Sequence, residues 1–301
     1  MEIIECVPNF SEGRDREKVE DIIAALLTVR GISLLNSCTD PDHNRSVLTF
    51  IGAPEVVLAG ALAASNKACD IIDMRLHKGE HPRIGAVDVV PFIPLAGTGM
   101  TDAVNIAHRF GRTFAERNHL SVYFYGEAAL NERRKNLAEI RRGGYERLRE
   151  KIRDPEWQPD IGGAVFNERT GTTAVGARMP LIAFNINLKS SDKDIARTIA
   201  AAIRESGGGL PHVKAIGVYL ESRKIAQVSM NLTDFRITSL RTVFDLVKEK
   251  AQALDVDILE SELIGLIPKE ALDGTTPEYL KLDGFTAERI IEIHVPAELR
   301  A

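Results

Sequence analysis

Two different spacings of apolar residues divide the first part of the chain into predicted helices and strands. Apolar side chains recur every three or four positions in residues 16–28 and 54–74, which is typical of helices that bury one face. Short apolar or alternating runs, typical of strands, surround these helices at residues 3–9, 32–35, 46–51 and 87–92. The order β-α-β-β-α-β predicts a ferredoxin-like, split βαβ unit. The polar, turn-rich residues 9–13 and 37–44 are expected to form loops.

The same order of elements returns in the last part of the chain, without a detectable repeat of sequence. Predicted strands and helices fall there at residues 181–188, 192–205, 213–220, 225–231, 240–254 and 257–263. We therefore expect an α/β (α+β) protein of two ferredoxin-like subdomains, residues 1–180 and 181–301. One face of each sheet would otherwise lie bare, so the sheets are expected to pack face to face with the helices outside. A ligand is then expected in the cleft between the halves.

The stretch between these halves combines regular elements with a long loop. A helical pattern covers residues 102–118, a strand pattern covers 122–125, and further helical pattern covers 128–152. Residues 155–171 follow as a loop that contains several glycines and prolines. A loop of this length inside a compact domain is usually functional.

Composition limits the class of protein and its compartment. A chain of 301 residues with 44% hydrophobic content is long enough for two domains. The formal net charge is -5 and no basic run stands out, so we predict no nucleic-acid partner. No apolar run approaches the roughly 18 residues that span a membrane, and the N-terminus lacks the basic region of a secretory signal. Cysteines at positions 6, 38 and 69, without a C-x-x-C pair, predict a reduced, cytoplasmic protein.

The most promising chemistry lies in the polar loop at residues 76–86, between a predicted helix and a predicted buried strand. His77, Glu80 and His81 reproduce the H-x-x-E-H spacing of one class of zinc peptidases. The glycine between the histidines and the proline directly after His81 argue against the helix that such a metal site needs. Two other interpretations compete with it. One is an imidazole that acts as a general base near neutral pH, and the other is a loop histidine that only makes hydrogen bonds.

Several motifs, taken together and in their order, resemble a known family. They are ECVPNFSEG at residues 5–13, HNR at 43–45, GEHPRIGA at 79–86, YGEA at 125–128 and LIAFNINL at 181–188. The chain resembles the glutamate formiminotransferases over essentially its whole length. In animals, this family's domain is fused to a cyclodeaminase.

The resemblance implies a homodimer in which tetrahydrofolate binds in a tunnel between two stacked α/β subdomains. It implies transfer of the formimino group from N-formimino-L-glutamate to N5 of tetrahydrofolate, which gives 5-formiminotetrahydrofolate and glutamate without a metal. The family's catalytic histidine falls on His81. Its folate-binding segment falls within the long loop, at Gly162, Gly163, Ala164, Val165, Phe166, Asn167, Glu168, Arg169, Thr170 and Gly171.

The implied reaction suggests roles for further polar residues. One imidazole of suitable pKa can take the proton from N5 and return one to the departing nitrogen of glutamate. Arg45 and Arg83 are predicted to bind the two carboxylates of the donor, because guanidinium groups pair bidentately with carboxylates. A structural hydrogen bond or a surface charge is the alternative for each of these residues. The remaining predicted contacts are Asn9, Asn44 and Asn187 for the substrate, and Arg178 for the folate tail, with or without polyglutamate.

Two other classes of function stay open, and one motif departs from the family. A folate-binding protein without turnover would keep this fold. A transferase with a formyl donor would act on the same kind of small one-carbon group on a glutamate nitrogen. An acid that some family members carry before the Asn-Arg motif falls on Cys38, with Asp40 and Asp42 nearby. The role of that acid is therefore not transferred to this chain.

Overall fold

The computed structural model describes residues 2–79 and 82–295. The chain forms two compact units, of which the first ends at Arg178 and the second begins at Met179. Among the described residues, no helix is both long enough and apolar enough to cross a membrane.

The first unit alternates helices with the strands of one sheet. Its first helix begins after Asp15, whose carboxylate accepts the backbone N–H of Lys18 at 3.4 Å. Its second helix begins with Pro54, which suits the first turn because its missing N–H is not needed there. The strands are β1 Ile4–Cys6, β2 Asn9–Phe10, β3 Ser33–Asp40, β4 Arg45–Gly52, β5 Val87–Pro94, β6 Ser121–Gly126 and β7 Thr172–Ala177. The helices are α1 Arg16–Leu27, α2 Pro54–Ile71, α3 Met100–Asn118, α4 Leu137–Arg141 and α5 Leu148–Lys151.

Among the described residues, the sheet of the first unit has seven strands, and β1 and β2 are two parts of one interrupted strand. Each of them pairs with both β4 and β5. Val7 and Pro8 lie between them, and proline has no N–H to donate to a ladder. β3 lies outside β4, and β7 and β6 continue the sheet beyond β5 in parallel. The first unit is therefore a split βαβ order with two parallel strands added at one edge.

The two faces of this sheet differ in chemistry. Phe10, Phe50 and Phe92 pack with apolar side chains of α1, α2 and α3 in the larger core. Neighbouring strand residues alternate between faces, and the opposite face carries a smaller apolar cluster that includes Tyr123 and Ile140. Buried polar side chains lie beside that smaller cluster, and they form the candidate site described below.

The second unit is a smaller sheet with helices on one face. Within residues 179–295 its four strands lie in the order β11-β8-β10-β9, with every neighbouring pair antiparallel. Phe184, Val228 and Phe244 belong to the core between this sheet and its two longer helices. The predicted class, α/β with two sheets and helices, is confirmed. The elements are β8 Ile182–Leu188, α6 Lys193–Ile203, β9 Val213–Leu220, β10 Ile225–Leu232, α7 Leu240–Gln252, β11 Ile258–Ile264 and α8 Ile291–His294.

Three strands in the first unit differ from the sequence-based expectation. The expectation of a polar turn from residue 9 is wrong, because β2 resumes the interrupted strand after Pro8. The expectation of a loop from residue 37 is also wrong, because pairing with β4 extends β3 to Asp40. The apolar pattern does not predict β7, in which Val175 is the one apolar side chain larger than alanine, and the strand is buried by its position between β5 and β6.

Candidate active site

Buried polar side chains from three strands meet on the face of the first sheet opposite α1, α2 and α3. Arg45, the first residue of β4, donates from Nη2 to Oδ1 of Asn9 on β2. Asp88 on β5 accepts at Oδ2 from Nη2 of Arg141, the last residue of α4. The Oδ1 of Asp88 accepts the backbone N–H of Ile84 at 2.9 Å. Asn9 and Asp88 are 6% and 2% exposed, so this cluster is shielded from water.

The charge of Arg45 is set by its burial and by the second guanidinium. Burial and the nearby charge of Arg141 lower the pKa of Arg45 to about 10, while Asp88 opposes that shift. Arg45 therefore stays protonated at neutral pH. Two buried guanidinium groups that repel each other suit an anion that can bind to both.

Tyr125 and Arg178 extend this polar cluster along the sheet. Burial raises the pKa of Tyr125 on β6, and the positive charges of Arg178 and Arg141 act against that shift. A side-chain hydrogen bond joins Tyr125 to Arg178, which directly follows β7. The predicted folate contact Arg178 and the predicted substrate contact Arg45 thus belong to the same side of the first unit.

His77 lies at one end of the polar loop, and its ring donates one hydrogen bond and accepts another. Its Nε2 lies 2.8 Å from the carbonyl oxygen of Asn44, and its Nδ1 accepts from Nε of Arg83 at 3.1 Å. A carbonyl only accepts, so these partners assign the hydrogen to Nε2 and leave the ring neutral. Burial lowers the pKa of His77, the carbonyl of Asn44 opposes this, and the charge of Arg83 adds to it.

Arg83 joins the same loop to a segment near α5. Its two terminal nitrogens donate to the carboxylate of Glu146 at 2.9 and 2.6 Å. In the structure, the guanidinium of Arg83 binds the carboxylate of Glu146. The predicted contact of Arg83 with a substrate carboxylate stays a prediction. His81, the predicted catalytic residue, and Glu80 lie outside the described residues.

Asn44 fixes the turn between β3 and β4 to two other segments. Its φ of +46° is a conformation that asparagine adopts more readily than most residues. Its Oδ1 accepts the backbone N–H of Gly13 at 2.9 Å, and its Nδ2 donates to the carbonyl of Lys78 at 2.9 Å. The predicted substrate contact Asn44 therefore holds the chain that leads into the polar loop.

The predicted folate-binding segment, residues 162–171, is tied to the sheet edge and carries an aromatic ring. The hydroxyl of Ser121 lies 2.8 and 3.0 Å from the carbonyls of Gly163 and Val165. The ring of Phe166 lies 5.7 Å from that of Tyr145. Val165 is 60% exposed. Arg149 lies over the ring of Phe166, 5.2 Å from its centroid, so the ring is partly covered. The exposed side chain of Val165 is the apolar surface that the segment offers to a ligand.

Asn187 lies in a different polar network, on β8 of the second unit. Its Nδ2 donates to Glu260 and Glu262 at 2.9 and 2.7 Å, and its Oδ1 accepts from Gln227 at 2.8 Å. Arg223 also donates to both carboxylates. Both amide hydrogens of Asn187 are therefore used inside the protein, and the residue is 0% exposed. Its predicted contact with the substrate stays a prediction.

The H-x-x-E-H spacing that suggests a zinc site includes Glu80 and His81, which lie outside the described residues. Within residues 2–79 and 82–295, no three His, Cys, Asp or Glu side chains form a group that could hold a metal ion. Both ring nitrogens of His77 have partners in Asn44 and Arg83. A metal bound to His77 would have to displace one of them.

Sequence reasoning did not assign Asp88 to the site, and it favours a solvated helix face for Arg141, which is wrong because Arg141 pairs with buried Asp88. Asp88 could have been predicted as a site residue, because it is an acid inside an otherwise apolar strand and needs a partner when buried. Arg141 could not, since it is one of many charged residues in a helical stretch. Only the chain path that lays α4 over β5 brings the two together.

The fold and the site define an α/β protein with a buried, arginine-rich site that suits a small anionic ligand. Comparison with known families narrows this class. The N-terminal subdomain of the formiminotransferase domain matches residues 3–178, and the formiminotransferase domain matches residues 183–295. The chain belongs to the formiminotransferase domain family.

The relatives fall into a group of similar length to this chain and a longer group. The glutamate formimidoyltransferase of Thermoplasma acidophilum is 42% identical over 294 residues, which cover 97% of both chains. That of Streptococcus pyogenes serotype M1 is 40% identical, covering 97% of this chain and 98% of the relative. The formimidoyltransferase-cyclodeaminase of Rattus norvegicus is 47% identical over 90% of this chain. The match spans only 51% of that longer relative.

Proposed function

We propose that the chain is a glutamate formimidoyltransferase, which moves the formimino group of N-formimino-L-glutamate to N5 of tetrahydrofolate. The products are 5-formiminotetrahydrofolate and glutamate. The observation that carries this proposal is the identity of 42% with a stand-alone enzyme of that name, over 97% of both chains. The formimino rather than the formyl donor follows from the same relatives.

The proposed chemistry is acid–base catalysis in a site that positions two substrates. N5 of the folate attacks the amidine carbon of the donor and loses its proton, and the departing glutamate nitrogen gains one. His81 is the proposed base and acid in sequence, for about 10²–10⁴-fold in rate. Positioning of both substrates supplies more. These steps use no metal.

Substrate recognition is proposed at the polar cluster of the first unit. Arg45 binds a donor carboxylate, and Asn9, its hydrogen-bond partner, orients it. Asn44 keeps the adjoining turn in place, and the assignments of Arg83 and Asn187 as substrate contacts remain part of the proposal. The folate, with or without polyglutamate, contacts residues 162–171 and Arg178.

A cytoplasmic homodimer is proposed as the working form. None of the three cysteines, all of them among the described residues, forms a disulfide, which fits a reducing compartment. Sedimentation velocity of the purified protein measures the mass directly. A monomer at the concentrations used for activity would contradict the dimer and leave the reaction untouched.

Release of glutamate from N-formimino-L-glutamate tests the proposed reaction. It should require tetrahydrofolate and should match folate product one to one. Release without folate would indicate a hydrolase, and tight folate binding without release would indicate a binding protein. Faster reaction with N-formyl-L-glutamate would favour the formyl donor. His81→Ala should lower kcat at least about 100-fold, whereas the exposed-residue variant His119→Asn should not.

A further inference from the structure

Arg141 lies at the end of α4 with part of its guanidinium unused. Its Nη2 donates to Oδ2 of Asp88, and the two side chains are 14% and 3% exposed. Its Nε is buried and has no hydrogen-bond partner among the described residues. A guanidinium has five N–H donors in a planar fork, so Asp88 leaves capacity for a second acceptor.

Asp88 is shared between Arg141 and the backbone. Its Oδ1 accepts from Ile84, so a single carboxylate oxygen serves the guanidinium. This differs from the two-oxygen contact that Glu146 makes with Arg83. Asp88 therefore holds Arg141 in place and leaves other N–H donors of its guanidinium available for a second acceptor.

Arg45 brings a second guanidinium to the same place on the sheet. Asn9, which accepts from Arg45, lies on β2 between Val47 of β4 and Val89 of β5. Asp88, which accepts from Arg141, directly precedes Val89. Neighbouring strands are about 4.8 Å apart, so both arginines deliver their terminal nitrogens to adjacent points on one face.

Two positive charges lie at adjacent points on this face and repel each other. Asp88 and Asp40 both favour the charged form of Arg45, and Asp88 also pairs with Arg141. A carboxylate that spans both guanidinium groups would offset their repulsion and accept hydrogen bonds from both.

We propose that Arg141 is a substrate-binding residue that shares one carboxylate of a small dicarboxylate donor with Arg45, and that Asp88 positions Arg141. This inference rests on the proposed function, since it assigns a contact for the glutamate part of the donor. It adds a residue from α4 to a site that the sequence assigns to strands and loops.

Binding of glutarate, a dicarboxylate that cannot react, tests the assignment without turnover. Calorimetry should give a Kd for Arg141→Met at least about tenfold above wild type, as expected for loss of a charge-assisted hydrogen bond. The Michaelis constant for N-formimino-L-glutamate should rise by a similar factor. Arg142→Met is the matched control, because Arg142 is the next residue and its side chain is 73% exposed. Equal Kd values in both variants, or no glutarate binding to wild type, would overturn the proposal.

Asp88→Asn separates ligand binding from a purely structural ion pair. Asparagine can still accept the N–H of Ile84, and it removes the acid that competes with the ligand for Arg141. Glutarate should therefore bind this variant more tightly than it binds Arg141→Met, even though Arg141 loses the carboxylate that positions it. A rise in Kd as large as that of Arg141→Met would mean that the pair only supports the fold.

Two further outcomes keep the test decisive. If Arg141→Met does not fold, the double variant with Asp88→Asn avoids a buried carboxylate at residue 88 without its arginine, and it should still bind glutarate weakly. Wild-type affinity in that double variant would overturn the proposal. If the wild-type protein transfers no formimino group while glutarate binding depends on Arg141, the proposed function fails and the dicarboxylate site stands. Normal transfer with unchanged constants in Arg141→Met would remove only Arg141.

Discussion

At the scale of single residues, the folded structure favours the neutral form of His77, so the stability of the protein should depend on pH through this residue. Burial lowers the pKa of His77. Below the ordinary pKa of about 6.5, the unfolded chain therefore binds a proton that the folded chain does not. The contribution of His77 to stability is fully present above that pH, and it is lost as the pH falls through the lowered pKa.

We expect His77→Gln to flatten the loss of unfolding free energy between about pH 7 and pH 5, because glutamine does not titrate. Denaturant unfolding at a series of pH values measures this slope. His119→Asn is the control, since His119 is exposed and its φ of +50° suits asparagine. An unchanged slope in His77→Gln would contradict the neutral, hydrogen-bonded imidazole.

Two glycines in the predicted folate segment have similar backbone conformations but differ in how closely other atoms pack around them. Gly171 and Gly163 have similar φ values, +69° and +64°. A Cβ at residue 171 would lie 2.3 Å from the carbonyl oxygen of Ile84, whereas a Cβ at residue 163 would meet nothing within 4 Å. Gly163→Ala should therefore carry only the conformational penalty, and Gly171→Ala should also force the backbone apart.

We expect Gly163→Ala to lower the free energy of unfolding by about 1 kcal/mol. Gly171→Ala should lower it by about 3 kcal/mol or more, because backbone atoms cannot move aside cheaply. Chemical denaturation of both variants measures the difference. Equal losses would mean that the segment does not pack against residues 84–85 as described.

At the scale of elements, the amide of Asn187 keeps two acids together on the sheet of the second unit. Asn187 and Arg223 lower the pKa of Glu260, with Asn187 the larger cause. A carboxyl with a lowered pKa contributes stability that is present above its ordinary pKa and is lost as the pH falls. Replacing Asn187 should therefore weaken the unit and reduce its sensitivity to acid.

We expect Asn187→Ala to lower the free energy of unfolding by about 2 kcal/mol at neutral pH, the penalty for leaving buried hydrogen-bonding groups without partners. The loss should shrink below about pH 4, where Glu260 protonates in the unfolded chain. Asn231→Ala is the control, since Asn231 is exposed on β10 of the same sheet. Similar small losses in both variants would show that the network adds little to stability.

Elements whose own apolar residues recur at helical or strand spacing could be predicted from sequence. Elements that are buried only by their neighbours could not. α1 and α2 show helical spacing and begin at recognisable residues, and both begin as predicted, at Arg16 and Pro54. β7 shows no strand pattern, because its burial depends on neighbours that join it from distant parts of the chain. Propensity describes a segment alone, whereas a central strand is defined by its partners.

At the scale of the whole molecule, the predicted folate segment should respond to ligand. Val165 is 60% exposed, and residue 163 has open space around it. We expect a non-reactive folate analogue to slow amide hydrogen exchange across residues 162–171 more than elsewhere. N-formimino-L-glutamate alone should protect this segment much less, because it has no ring to cover it.

The glycine-rich loop at residues 206–209 is the internal control for this experiment. Like the folate segment, it contains adjacent glycines, and it lies in the second unit, where no folate contact is proposed. Its exchange should not change with the folate analogue. Equal protection of both loops, or of neither, would contradict the assignment of the folate segment.

The composition of the site could be predicted only in part, because sequence gives the residues of a strand and not the order of strands. Asn9 and Arg45 were predicted as substrate contacts from residue type, and they share a hydrogen bond. Their proximity to Asp88 depends on β2 lying between β4 and β5. Arg141 joins them because of the path of the chain after β6, which the helical pattern of residues 128–152 does not specify.

The fate of the transferred carbon tests the central claim most directly. N-formimino-L-glutamate labelled with ¹³C in the formimino carbon is incubated with tetrahydrofolate and the purified protein, and the label is followed by NMR. The proposed function predicts that the label moves to N5 of the folate while unlabelled glutamate appears in equal amount. Label that stays on glutamate, or that leaves as formamide or formate, would contradict formimino transfer by this protein.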